Sequence, residues 1–221
     1  NAAITLSGAA NFTTAAGDIL SFVAVAANTV VQTGYSLVDG GSPVAPAAGG
    51  SWTLIGTAVA SNSASLTVTG IDSTYDLYAI GLSDLHPVDD TPALYGRVGD
   101  SGGIDTGGTD YAFHLQMVRQ NAAGYDATWD TSEGKFKFAN EVGNSTGEGV
   151  SGLCWLARPA DGVTQPMITG TMAWINGSTI LYQGSLGATR MAVIAIDRIQ
   201  CFFSSGNIES GRMTIWGVKH T

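Results

Sequence analysis

Met172-Ala173-Trp174-Ile175-Asn176-Gly177-Ser178-Thr179-Ile180-Leu181-Tyr182 is the most explicit stretch of the chain. Two apolar-rich runs flank an Asn-Gly pair. Asn-Gly supplies the positive φ angles of a type I′ turn, the tight link favoured between twisted antiparallel strands. A β-hairpin turning at Asn176-Gly177 is expected here.

The same two-residue alternation recurs outward in both directions, and helical periodicity is nearly absent. Trp52 to Val59 and Ser65 to Thr69 alternate apolar and small polar residues, while Tyr75 to Leu82 is denser and reads as a strand covered on both faces. Lys135-Phe136-Lys137-Phe138 should direct its phenylalanines to the core and its lysines to water or an acidic neighbour. Pro159-Ala160-Asp161-Gly162 turns a strand at 151–158 into one at 167–175. Met191 to Ile196 and Arg212 to Val218 read as closing strands. Many short strands at this spacing, with no fixed repeat, define an all-β chain: an antiparallel β-sandwich, jelly-roll-like, with another sandwich topology as its rival. Residues 3–38 read as a short β meander, and Asp39 to Gly50, rich in Gly, Ala and Pro, as a linker. The expected organisation is a short β module at 1–40, a linker at 41–50 and a sandwich head at 51–221.

Composition narrows the function classes. Of 221 residues, 44% are hydrophobic and only 12% charged, against roughly 25% charged in ordinary soluble domains. So few charges cannot coat a monomer, which points to subunit contacts and an oligomer. No apolar run approaches the roughly 20 residues of a membrane span. The net charge of −9, with only Lys135 and Lys137 close together, disfavours nucleic acid and anionic membranes. Asn1 is not an initiator Met and no signal-peptide pattern follows it, so a piece of a longer chain is expected. Cys154 and Cys201 both lie in apolar strand-like runs and read as buried thiols.

Two terminal segments carry a resemblance. Ala10-Asn11-Phe12-Thr13-Thr14-Ala15-Ala16-Gly17-Asp18, followed by the apolar run Ile19 to Val25 and by Thr33-Gly34-Tyr35, resembles tailed-phage fibre proteins, in which such a module lies just before a compact β head. Phe202-Phe203-Ser204-Ser205-Gly206-Asn207-Ile208-Glu209-Ser210-Gly211, running into Met213 to Val218, resembles them again. The resemblance implies a virion-surface role, structural or host-attaching, and a trimeric β head.

Three constellations bear on chemistry. Gly99-Asp100-Ser101-Gly102-Gly103 matches the serine-protease nucleophile motif, but only His86 precedes it, there is no room upstream for a first barrel, and a Gly-rich loop is the simpler reading. Asp84-Leu85-His86-Pro87-Val88-Asp89-Asp90, with Asp100, Asp105 and Asp110 beyond, is oxygen-rich enough for calcium, yet lacks the calcium-loop spacing; no cofactor is assigned. His86, His114 and His220 are too dispersed for zinc, and His114, between apolar neighbours, reads as structural. Tyr125-Asp126-Ala127-Thr128-Trp129-Asp130 sets two aromatics among carboxylates, a combination that suits a sugar: a ring packs on the apolar sugar face and carboxylates accept from hydroxyls. Its rival is a short strand with Trp129 in the core.

The reading that follows is a non-enzymatic tailed-phage virion protein, the distal part of a tail fibre or receptor-binding protein, exposed on the virion surface (tail or capsid) and assembled in the bacterial cytoplasm. It is expected to be a homotrimer that contacts other virion proteins and binds a host-surface glycan through Tyr125, Asp126, Trp129 and Asp130 and through Asp84, His86, Asp89 and Asp90. The alternatives are a capsid decoration protein and a polysaccharide depolymerase using Asp84 or Asp130.

Overall fold

A computed structural model of the chain describes residues 52–219 and the backbone of three strands nearer the N-terminus. The strands are β1 (Ala3–Thr5), β2 (Ile19–Ala26), β3 (Thr29–Ser36), β4 (Trp52–Val59), β5 (Leu66–Thr69), β6 (Leu77–Pro87), β7 (Leu94–Asp100), β8 (Gly103–Ile104), β9 (Tyr111–Arg119), β10 (Asp126–Glu133), β11 (Phe136–Ala139), β12 (Gly149–Ala157), β13 (Met167–Ile175), β14 (Leu181–Arg190), β15 (Arg198–Phe203) and β16 (Ile208–Val218). No helix occurs among the described residues. Packing divides the chain into two units, Asn1–Gly50 and Ser51–Thr221.

The first unit holds a three-stranded sheet of order β1-β3-β2. β2 and β3 pair antiparallel, with Leu20 opposite Tyr35, but β1 runs parallel to β3. The expected meander is therefore corrected: only its second hairpin is present. The chain from β1 to β3 passes through β2, which supplies the long connection that a parallel pair needs. The Thr-Thr-Ala-Ala-Gly-Asp turn and the expected linker at 41–50 lie outside the described residues.

The second unit is a β-sandwich of an eight-stranded sheet, β10-β9-β14-β13-β12-β6-β16-β4, and a five-stranded one, β11-β7-β15-β5 with β8 on β7. Its topology is a jelly roll. Taken in chain order, β4, β5, β6, β7, β11, β12, β15 and β16 fall in one sheet as first, eighth, third and sixth and in the other as second, seventh, fourth and fifth, the order of two interlocked Greek keys. Two excursions interrupt this path. β8 to β10 lie between the fourth and fifth strands, and β13 and β14 between the sixth and seventh. Four of these strands, β13, β14, β9 and β10, prolong the large sheet beyond β12.

The core lies between the sheets. Alternation sends Tyr78, Ile80, Leu115, Leu156 and Trp174 inward from the large sheet, and Leu94, Val98, Phe136, Phe138 and Ile199 from the small one, all at most 1% exposed. Gly96 of β7 is required by this packing: a Cβ there would come within 2.4 Å of the Phe136 ring and 2.5 Å of the Phe138 ring. β6 is covered on both faces as expected, Tyr78 to Leu82 being buried throughout. Cys154 and Cys201 are free and buried, on β12 and β15, and burial raises both thiol pKa values, that of Cys201 to about 12.

Two expectations need correction. Met191 to Ile196 is no strand: the Met191 N–H goes to the Asp110 carbonyl and the Ile196 N–H to the Pro159 carbonyl, isolated loop bonds rather than a ladder. The 167–190 hairpin forms, with Trp174 opposite Tyr182, but its link is not a type I′ turn. Ile175 pairs with Leu181, the Thr179 N–H bonds the Asn176 carbonyl, and Thr179 carries the positive φ, 59°. This is a turn with a bulge residue. The reason is the Asn176 side chain, whose Oδ1 accepts the N–H groups of both Ser178 and Ile180 and so holds Asn176 ahead of the turn instead of inside it.

Candidate functional site

β10 is one edge of the large sheet, β4 the other. Its register sets Trp129 opposite His114, Ala127 opposite Gln116 and Asp130 opposite Phe113. Because Phe113, Leu115 and Met117 face the core, the pleat turns His114 and Trp129 to the outer face and Asp126, Thr128 and Asp130 to the other. Trp129 is 64% exposed and Tyr125 70%, so the core reading of Trp129 is overturned. His114, expected to be structural, is exposed as well. Trp129 and the carboxylates that adjoin it in sequence thus diverge in space. Asp126 is 3.7 Å from the Arg119 guanidinium, and Asp130 accepts the Ser132 N–H.

The outer face beside Trp129 is hollowed into an open groove of about 490 Å³. Trp129 and Met167 border it, His114, Thr169 and Thr189 line it, and Gly187 lies between His114 and Thr169 in the ladder. A Cβ on Gly187 would meet nothing within 4 Å, so this glycine leaves open space. Every lining residue belongs to β9, β10, β13 or β14, or adjoins them in the same ladders. The groove is therefore built wholly on the strands added to the jelly roll. Chemically it offers an exposed indole, a thioether, an imidazole and threonine hydroxyls, with Asp130 also among its lining and no lysine or arginine. Such a surface packs the apolar face of a neutral ring while bonding its hydroxyls.

The other predicted residues gather elsewhere. Asp84 and His86 end β6, where the ladders to β12 and β16 are both irregular. Asp84 has φ 49°, its N–H donates to Ser151 Oγ, and that hydroxyl donates back to Asp84 Oδ1. A smaller cleft there is lined by Asp84, Ser83, Ser210, Gly211 and Arg212. His86 Nδ1 is 2.8 Å from Glu209 Oε2, and its Nε2 faces the Ser145 carbonyl. The Asp89 carboxylate lies over Gly206 and that of Asp90 over Gly177, so each sits against a turn.

Asp84 and Asp130 lie on strands five ladder steps apart, about 24 Å at the usual strand spacing. Glycosidase carboxylates stand roughly 5–9.5 Å apart. Asp126 and Asp130, four residues apart on one strand, are about 13 Å apart by the strand rise. Neither pair has a glycosidase geometry. The Gly99–Gly103 motif forms the β7–β8 hairpin, in which Asp100 Oδ1 accepts the Gly102 N–H. Asp105 and Asp110 both engage Arg190, at 2.6 and 3.2 Å. Among the described residues no group of three His, Cys, Asp or Glu side chains is placed to hold a metal ion.

Of the groove's lining, sequence reasoning named Trp129 and Asp130 but missed His114, Met167, Thr169 and Gly187; Tyr125 is not part of it. The missed residues come from three other strands, and only the register unites them.

Comparison with known protein families, with curated proteins and with solved structures returned no match. The fold itself defines the class: a jelly-roll β-sandwich carrying an enlarged sheet.

Proposed function

We propose that the chain is a non-enzymatic surface protein of a tailed-phage virion, a tail-fibre or receptor-binding head that attaches to a host-surface glycan through the Trp129 groove. The observation that carries the glycan reading is the 64% exposure of Trp129 beside an open, glycine-floored hollow on strands added to the jelly roll. An exposed indole costs solvation unless a partner covers it, and a sugar ring is a partner of matching size and polarity. The phage reading rests on the resemblance of residues 10–35 and 202–218. A homotrimer accords with the charge-poor composition, and three copies would turn weak single-site binding into avidity.

One observation favours a second reading. The outward positions of β9, β12, β13 and β14 include no Asp, Glu, Lys or Arg, although the chain carries a net charge of −9. A face of that kind suits burial against protein, as in a capsid decoration protein clamped to its shell. The two readings part on one experiment: binding of the fluorescently labelled protein to a panel of intact bacteria, with its oligomeric state measured by light scattering. Saturable, strain-specific binding that is lost in Trp129→Ala with the oligomer intact supports attachment. Binding to no strain, with an oligomer that dissociates in Trp129→Ala, supports the assembly reading.

A further inference from the structure

The outer face of the five-stranded sheet has the opposite character to that of the large one. Alternation turns Lys137 of β11, Tyr95 and Arg97 of β7, and Arg198, Gln200 and Phe202 of β15 outward. Lys137 lies opposite Tyr95, which lies opposite Phe202, and Arg97 lies opposite Gln200. Continuing the β11–β7 register by one residue sets Lys135 across from Arg97. Cations that are scattered along the sequence thus meet on one face of an acidic protein.

What holds Arg97 and Lys137 differs from what holds four of the other arginines. Arg119, Arg158, Arg190 and Arg198 each sit on a carboxylate. Arg97 instead lies 4.6 Å from the centroid of the Phe202 ring and donates Nε–H to the Gly134 carbonyl. Lys135 and Lys137 lie 4.7 and 5.7 Å from the centroid of Tyr95. Lys135 also reaches Glu133 at 3.2 Å, but Arg97 and Lys137 form no ion pair among the described residues. A ring orients a cation without neutralising it. Burial, and then repulsion from Lys135, hold the Lys137 ammonium below the usual lysine range, opposed by Glu133 and Glu141. An incoming anion would relieve that repulsion.

We propose that the outer face of the five-stranded sheet is an anion seat, at which Arg97 and Lys137 receive the carboxylate or phosphate of an acidic saccharide. Two uncommitted cations match one anionic group per sugar residue and fall short of the run of contacts a nucleic acid needs. Beside them the Gln200 amide donates to the Ser65 and Thr67 hydroxyls, and Lys137 Nζ lies 3.5 Å from Thr128 Oγ1 of β10, polar groups of the kind that bond sugar hydroxyls. The seat is on the sheet opposite the Trp129 groove and does not depend on that groove's ligand.

The test is titration calorimetry at low ionic strength with three probes: an oligogalacturonate, a hexose 6-phosphate and poly-glutamate. The wild type is compared with Arg97→Met/Lys137→Met and with Lys137→Met alone, which keep the aliphatic cover over the rings. Arg119→Met serves as the control cation, and thermal melts establish that each variant folds. Binding of the oligogalacturonate or the hexose phosphate that is about tenfold weaker or more in the double variant, is weakened by salt and is unchanged in Arg119→Met supports the seat. Which of those two probes binds distinguishes the carboxylate source from the phosphate. Failure of both to bind, equal binding by the double variant, or tighter binding of poly-glutamate would overturn it.

Discussion

Trp129 of β10 stands directly opposite His114 of β9, and His114 stands opposite Gly187 of β14, so an exposed indole and a bare backbone position face the same hollow two ladder steps apart. Everything proposed for ligand binding depends on that register, because neither residue alone would make a site.

The groove can be emptied or filled without touching the core. Trp129→Ala removes a side chain that is 64% exposed, and stability should stay within about 0.5 kcal/mol of wild type. Gly187→Val adds a branched side chain where a Cβ meets nothing within 4 Å, so the melt should be unchanged or slightly higher. Both should weaken cell or glycan binding by at least about 2 kcal/mol, the scale of a hot-spot aromatic. A melt and a binding curve on each variant decide the matter; a marked loss of stability in Trp129→Ala would mean that the indole supports the sheet.

The hairpin link makes a prediction of opposite signs at two neighbouring positions. Asn176 is 7% exposed and accepts two backbone N–H groups, so Asn176→Ala should cost about 2 kcal/mol. Thr179 sits at φ 59°, and Thr179→Gly should gain about 0.5 kcal/mol by relieving the left-handed conformation. In a type I′ hairpin residue 179 would instead lie within the strand, where glycine destabilises. Denaturant unfolding of the two variants separates these geometries.

Trp174 packs in the core at 1% exposure, stacked 5.4 Å from Tyr182 with planes 10° apart. Its Nε1–H is buried without a partner. Trp174→Ala should therefore cost about 3–5 kcal/mol. Trp174→Phe loses ring area but no hydrogen bond and also removes an unsatisfied donor, so about 1 kcal/mol or less is expected. Calorimetric melts of both variants check the contrast.

Stability should fall at both pH extremes through identifiable groups. The Thr74 N–H, then the Tyr78 hydroxyl, hold the Asp72 carboxyl below its ordinary value, and Arg198 does the same for Asp197. With the folded pKa below the unfolded one, their stabilisation is present above the unfolded value of 3.8 and is lost as pH falls through the lower folded values. Burial of Tyr78 works at the other end, raising its phenol from 10.0 to about 12. That contribution is complete below pH 10.0 and disappears as pH rises towards about 12. Melting temperature against pH should decline in both windows. Asp72→Asn should flatten the acid limb.

Much of the scaffold was legible. Lys135-Phe136-Lys137-Phe138 has its phenylalanines fully buried and its lysines outside, and the pairing of 167–175 with 181–190 follows from the apolar runs around Asn176. The turn type was not, because Asn-Gly supports two geometries and the deciding hydrogen bonds come from the Asn176 side chain. Met191 to Ile196 alternates as a strand does but finds no ladder, since β15 takes the place beside β7. Asp84 and Trp129 are both expected to bind glycan, and four strands lie between theirs.

The amino-acid sequence by itself determined that the chain is all-β and which residues of each strand share a face, because side-chain alternation is a local property of extended backbone. It could not say which face is covered or which strands are neighbours, since those depend on hydrogen bonds between segments distant along the chain. The tertiary structure alone turned Trp129 outward on an edge strand, brought Gly187, His114 and Met167 beside it, and assembled Arg97 and Lys137 against aromatic rings on the opposite sheet.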